Sequence, residues 1–191
     1  MTDQEIIAIF QSAEGAKRDQ VFGDIVHRYR ERLYAIIMGF TNDHDETDDL
    51  LQETFIKAYQ HLHTFRAESS LYTWLCRIAI NLSISYTRKR KLRQFFSVDA
   101  MEEILPSGQD GPDATTEKTE LRKHIKRAVD QLSEKQKKVF ILRYYDELSH
   151  AEIAQITGNS EGTIKANFFH AMNKVQAYLE KHYFEKGKPH A

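Results

Sequence analysis

Residues 45–93 read DETDDLLQETFIKAYQHLHTFRAESSLYTWLCRIAINLSISYTRKRKLR. The stretch opens acidic, with Asp45, Glu46, Asp48, Asp49 and Glu53. It passes through Phe55, Tyr59, Phe65, Tyr72 and Trp74, and closes on Arg88, Lys89, Arg90, Lys91 and Arg93. Helical spacing sets Asp45, Asp48, Asp49, Gln52 and Glu53 on one face, with Leu50, Leu51, Thr54, Phe55 and Ala58 on the other. An acidic stripe backed by an apolar one predicts a surface helix whose polar face can meet a basic protein. A basic helix end with aromatics upstream suits nucleic acid, where cations meet phosphates and ring faces meet unstacked bases. The charges alone leave open a plainer reading, that both runs are solvated surface.

Toward the N-terminus, Thr2 and Asp3 cap a predicted short helix through about residue 11, with Ile6, Ile7 and Phe10 as its stripe. Glu14-Gly15-Ala16 breaks it. Phe22, Ile25, Val26, Tyr29, Leu33, Ile36, Ile37 and Phe40 keep helical period over residues 22–40, with Arg28, Arg30 and Arg32 on the polar side. Thr41-Asn42-Asp43 separates that helix from the acidic one, which runs to about residue 63. Residues 65–70 read as a loop, with Ser69 or Ser70 capping the next helix. The inward side of that helix is expected to be Leu71, Trp74, Leu75, Ile78, Ala79 and Leu82. Asn81 falls in its middle, where a buried amide must find partners or cost stability.

Toward the C-terminus, residues 94–118 hold Pro106, Gly108, Gly111 and Pro112 among scattered acids, with 1 Lys/Arg against 6 Asp/Glu. They read as a linker. The flanking blocks, 22–93 and 119–185, each carry 11 Lys/Arg against 9 Asp/Glu, so the acidity is concentrated in the connector. Residues 95–118 would reach roughly 80 Å fully extended but only about 27 Å as a relaxed coil.

A helix over 119–132 follows, with Leu121, Ile125, Ala128, Val129 and Leu132. Ser133-Glu134-Lys135-Gln136 is a capping box opening the next, which Val139, Phe140, Leu142 and Tyr144 are expected to pack. Ser149-His150-Ala151-Glu152 is a second capping box, opening a short helix with Ile153, Ala154 and Ile156. Gly158 suits the left-handed turn that follows. Ser160 then caps a helix from 161 to about 180, with Ile164, Phe168, Ala171, Val175 and Leu179 inward. Short helix, glycine turn, longer helix is helix-turn-helix spacing, although a plain helical hairpin gives a similar pattern. If the second helix enters a major groove, its outward positions are Glu161, Thr163, Lys165, Asn167 and His170. Lysine can meet phosphate or guanine, and asparagine can bond adenine through two hydrogen bonds.

Composition narrows the classes. With 3 prolines and 8 glycines in 191 residues, long helices are uninterrupted, and the fold class expected is all-α. The expected layout is an N-terminal helix and turn (1–21), a first small helical domain (22–93), a flexible acidic linker (94–118), a second domain (119–185) and a tail (186–191). Cys76 is the sole cysteine, so no intrachain disulfide forms and a reducing compartment fits. Its neighbours Leu75, Ile78 and Ala79 favour a buried structural thiol. No apolar run approaches the roughly 18–20 residues that cross a membrane, and Met1-Thr2-Asp3 lacks a basic leader, so a cytoplasmic location is expected. His61 and His63, at i and i+2, point apart on a helix and cannot chelate together. Neither a glycine-rich phosphate loop nor a nucleophile–base set is evident, so neither metal, cofactor nor catalysis is expected.

The runs Asp48-Asp49-Leu50-Leu51-Gln52-Glu53-Thr54-Phe55 and Tyr72-Thr73-Trp74-Leu75-Cys76-Arg77-Ile78-Ala79-Ile80-Asn81 resemble the second conserved region of bacterial sigma factors. The likeness is greatest to the extracytoplasmic-function group. Val139-Phe140-Ile141-Leu142-Arg143-Tyr144-Tyr145, Leu148-Ser149-His150-Ala151-Glu152-Ile153-Ala154 and Gly162-Thr163-Ile164-Lys165 resemble the fourth region. Together the likeness spans about 22–92 and 119–179. It implies a sigma factor whose partners are core RNA polymerase, promoter DNA and an anti-sigma protein, the free protein being a monomer.

The resemblance assigns Asp45, Asp48, Asp49, Gln52 and Glu53 to docking on a basic coiled coil of the polymerase. It assigns Phe65, Arg66, Ser69, Ser70 and Asn81 to capture of a base flipped from the downstream promoter element, with Arg88, Lys89 and Arg90 on the adjoining backbone. Ser160, Glu161, Thr163, Lys165, Asn167, His170 and Lys174 would face the upstream element. Two departures stand out. Asn167, His170 and Met172 occupy places where the family usually carries arginines, and Ser85 sits where an acidic or amide residue is more common. The residues by themselves also admit a helix-turn-helix regulator acting without polymerase, or a helical adaptor that binds only protein.

Overall fold

The computed structural model describes residues 2–96 and 116–184, and every regular element among them is helical. The helices fall into two compact units, α1 to α4 and α5 to α8. In the first, α1 (Asp3–Ser12) starts at a capping box in which the Thr2 hydroxyl accepts from Glu5 N–H and the Glu5 carboxylate from Thr2 N–H. Such a box satisfies two otherwise orphaned donors. Ile6 and Phe10 are fully buried against α2 (Gly15–Thr41).

Periodicity placed the start of α2 at Phe22, whereas the helix begins at Gly15. Its polar first turns are held by contacts that no apolar period reports. The Arg18 guanidinium lies 4.4 Å from the Phe10 ring centroid, and Asp19 accepts a 2.7 Å hydrogen bond from Tyr59 Oη. Gly15 takes φ +54° at the turn between α1 and α2, a backbone conformation that residues with a Cβ rarely adopt.

α3 (His44–His61), capped by Asp43, ends in a 3-10 turn at Leu62–Thr64. α4 (Leu71–Phe96) is capped by Ser70, whose Oγ accepts from Thr73 N–H at 3.0 Å. α2, α3 and α4 pack on one another around Ile25, Leu33, Ile36, Ile37, Phe40, Leu62, Leu71 and Leu75. At about 1.5–3 kcal/mol for each buried side chain, this cluster is what holds the unit together. Thr41, Thr47, Thr54 and Ser83 are buried with it, and each hydroxyl is hydrogen-bonded, as Thr54 Oγ1 is to Leu50 O at 2.7 Å. Cys76 is buried, as expected.

The buried side of α4 differs from the expected one. It carries Leu71, Tyr72, Leu75, Cys76, Ala79, Ile80, Ser83 and Ile84, while Trp74, Ile78 and Leu82 are only half-buried along its flank. α4 packs on both α2 and α3, and the small side chains Cys76, Ala79 and Ser83 let it approach closely. Asn81 is consequently exposed rather than enclosed.

In the second unit, α5 (Thr116–Asp130), α6 (Glu134–Tyr144), α7 (His150–Thr157) and α8 (Glu161–Leu179) precede a short π-helical turn at Glu180–Phe184. The capping boxes at Ser133 and Ser149 form as read, and Gly158 ends α7 at φ +68°. Ala128, Val129, Leu132, Phe140, Ala171 and Val175 make the core, with Phe168 and Leu179 packed against it. Tyr144, expected inside, is 56% exposed and stacks on Phe140 from without, at 5.3 Å between centroids. Residues 94–96 and 116–118, read as linker, belong to α4 and α5. The rest of that stretch, and the tail, lie outside the described residues.

Candidate functional site

Asp45, Asp48, Asp49, Gln52 and Glu53 all project from the exposed side of α3, while Thr47, Leu50, Leu51, Thr54 and Ala58 are buried beneath. Glu53 pairs with Lys57 at 3.5 Å, an exposed contact of little energetic weight. The acidic stripe also borders a groove of about 420 Å³ between α3 and α2. Phe22, Val26, Leu51 and Phe55 line it, Ile56 stands 49% exposed beside it, and Asp48 and Gln52 form its rim. Charge spacing found the rim and missed the groove, because Ile56 lies off the regular apolar face of α3.

The loop between the 3-10 turn and α4 is fixed at both ends. Phe65 lies against Trp74 at 5.3 Å between centroids, its N–H donates to Leu62 O at 3.1 Å, and its carbonyl accepts from Gln11 Nε2 at 3.1 Å. Ser70 caps α4, so its hydroxyl already serves the fold. Between these ends, Arg66 is exposed, Ser69 is half-buried and Ala67 takes φ +55°. From the loop, Trp74, Ile78, Asn81, Ser85 and Arg88 follow at alternating steps of four and three residues, which keeps them on one side of α4. The stripe runs roughly 21 Å at 1.5 Å per residue, its first two residues half-buried and its last three exposed.

Lys89 is exposed as well, but Arg90 is not placed like its neighbours. It is half-buried, and its Nη1 donates to Thr41 O at 3.2 Å, binding α4 to the C-terminal end of α2. The carbonyls there carry partial negative charge, so a guanidinium suits the spot.

On α8, Ser160 accepts from Thr163 N–H at 3.2 Å. Lys165 pairs with Glu161 at 2.8 Å, a hydrogen bond that holds the Glu161 carboxyl below its usual range. Thr163 and His170 are exposed, and exposed Lys174 reaches Gln136 Oε1 at 3.0 Å. Asn167 is half-buried, its Nδ2 donating to Thr163 O at 2.9 Å. The side directly opposite Ile164, Ala171 and Val175 carries Gly162, Ala166, Phe169 and Asn173 instead, with Phe169 62% and Met172 42% exposed. Carrying the buried period of Ile164 and Ala171 around to the far side picks out Phe169, while Met172 lies nearer the buried face.

Among the described residues, no helix is long and apolar enough to cross a membrane. A family model described as Sigma-70 region 2 matches residues 25–93, and one described as Sigma-70, region 4, matches 122–175. The RNA polymerase sigma-H factor of Pseudomonas aeruginosa is 30% identical over 190 residues, covering 93% of this chain and 94% of that protein. The ECF RNA polymerase sigma-E factor of Escherichia coli K12 is 33% identical over 192 residues, with coverage of 95% and 98%. Among solved structures, the sigma factor RpoE from Bartonella quintana, in complex with the anti-sigma factor NepR, matches with a TM-score of 0.67 at 27% identity. That match covers 83% of this chain and 96% of that one. CnrH, solved with the cytosolic domain of CnrY, shares the fold at a TM-score of 0.70 and 21% identity, covering 94% and 98%.

Proposed function

This chain belongs to the extracytoplasmic-function group of the sigma-70 family, and from that premise we propose how it engages its partners. It is a sigma factor, which binds core RNA polymerase and directs it to promoters for initiation. The acidic side of α3 docks on a basic coiled coil of the polymerase, with Asp45, Asp48, Asp49, Gln52 and Glu53 steering and the groove beside Ile56 taking an apolar anchor. Complementary charge speeds such docking and fixes its orientation more than it adds raw affinity.

The loop of residues 65–70 takes an extruded base of the downstream element. Asn81 offers its amide beside it, and Arg88 and Lys89 meet the adjoining phosphates. Extrusion costs a few kcal/mol of unstacking, which stacking and edge hydrogen bonds offset. The observation that carries this reading is the single stripe on α4, where Trp74, Ile78, Asn81, Ser85 and Arg88 lead from the loop to the basic end. In the second unit α8 meets the upstream element through Ser160, Glu161, Thr163, Lys165, His170 and Lys174, with Asn167 on the flank and Phe169 at the apex. Apolar groups there suit thymine methyls.

The protein acts by binding and not by catalysis, in the cytoplasm, as a monomer until it meets polymerase. An anti-sigma protein is its further partner. Promoter opening by reconstituted holoenzyme tests the central assignment. Asn81→Ala should impair opening more than it weakens core binding, whereas equal losses in both would refute it.

A further inference from the structure

Gln11 stands one residue from the end of α1, yet its side chain reaches across 54 positions of sequence to the Phe65 carbonyl, at 3.1 Å. α1 is not a loose arm from which such a contact would be incidental. At its start the Asp3 carboxylate accepts from Arg28 Nη1 and from Tyr29 Oη, both on α2 and both at 2.6 Å. At its end Phe10, the residue before Gln11, is fully buried. Its ring meets Phe22 at 5.8 Å and Tyr59 at 5.5 Å, with the Arg18 guanidinium over it. A helix fixed at both ends holds the base of the Gln11 side chain in place.

The acceptor is equally informative. The Phe65 carbonyl belongs to the peptide group that joins Phe65 to Arg66, the first step of the loop. Fixing that plane fixes the direction in which Arg66 leaves. Two residues on, Ala67 takes φ +55°, a conformation that a residue with a Cβ keeps only when its surroundings impose it. The other end is tied by Ser70 to Thr73. Both ends of the loop are therefore tied by hydrogen bonds within the chain itself.

We propose that Gln11 is a positioning residue for promoter recognition, acting through the Phe65 carbonyl to preorganise the base-capturing loop. This rests on the reading above, in which residues 65–70 take the extruded base. Preorganisation moves the cost of ordering a loop from the binding step to folding, so its loss appears as weaker and less selective capture.

The experiment uses holoenzyme reconstituted from core polymerase and the full chain, with a promoter selected from random DNA by the wild-type holoenzyme. Affinity is measured for fork DNA with a single-stranded downstream element, either intact or with an abasic site at each position in turn. The intact-to-abasic ratio reports base capture, which a merely structural contact would not change at one position alone. Gln11→Ala and Gln11→Glu, which keeps the shape but replaces the donor with a carboxylate, should both lower the ratio about three- to tenfold at a single position, the range set by losing one neutral hydrogen bond. Core binding and thermal midpoint should stay at wild-type values.

Wild-type ratios at every position in either variant would overturn the proposal. So would a loss that falls equally on core binding and the thermal midpoint. A loop variant, Arg66→Ala with Ser69→Ala, separates the two levels. If it leaves every ratio unchanged, the loop reading fails and Gln11 fails with it. If it lowers one ratio while the Gln11 variants do not, only the Gln11 proposal falls.

Discussion

Asn81 is exposed on α4, and replacing an exposed side chain away from caps and core shifts stability by no more than about 0.5 kcal/mol. Asn81→Ala should therefore melt like the wild type in a thermal scan while its holoenzyme opens promoters poorly. Arg90 behaves in the opposite way. Its bond to the Thr41 carbonyl ties two helices, so Arg90→Ala should cost about 1–2 kcal/mol, read as a lowered denaturant midpoint. Lys89→Ala, one position away and exposed, should leave that midpoint unchanged and weaken DNA binding in a salt-dependent way. Sequence alone placed these two cations in one basic run, because side-chain chemistry is visible there and the carbonyl that Arg90 answers is not. Asn81 was legible as a special residue, but its surroundings were not. The expected inward side of α4 is Leu71, Trp74, Leu75, Ile78, Ala79 and Leu82; the first, third and fifth are buried, while Trp74, Ile78 and Leu82 are only half-buried.

At the scale of the element, local chemistry was read most accurately where it is self-contained. The capping boxes at Ser133 and Ser149, the Ser160 cap and the Gly158 turn need only residues three or four apart, and each is found as expected. The start of α2 was misplaced by seven residues because its polar first turns are held by α1 and α3, whose approach no local pattern encodes. The groove between α3 and α2 was missed because Ile56 lies off the regular apolar face of α3.

That groove separates two effects on docking. Asp49→Lys with Glu53→Lys should cut polymerase association chiefly in rate, with the deficit shrinking as salt rises. Ile56→Glu, at a half-exposed position, should weaken the complex with little salt relief while the protein folds normally. Surface-binding kinetics at two ionic strengths distinguish them. For α8, Phe169→Ala should leave the thermal midpoint unchanged and reduce affinity for the upstream element, and replacing its thymines by uracil should reproduce part of that loss.

At the scale of the whole molecule, the proposed function gives each of the two units one promoter-reading surface. Promoter elements two helical turns apart are separated by about 70 Å, close to what a chain as long as the one joining α4 to α5 would span fully extended and far beyond a relaxed coil of that length. Simultaneous contact gains affinity only when something holds both sites within reach, a restraint the proposed function assigns to the polymerase. The same arithmetic predicts that the free protein reads DNA poorly. The decisive measurement is a transcription assay on one promoter template, with core polymerase and purified chain added separately and together. Specific initiation from a defined start should appear only in the mixture, with the chain alone giving weak, salt-sensitive binding. A well-folded chain that leaves core polymerase without start-site selection, or that alone binds the promoter tightly and specifically, would contradict the account.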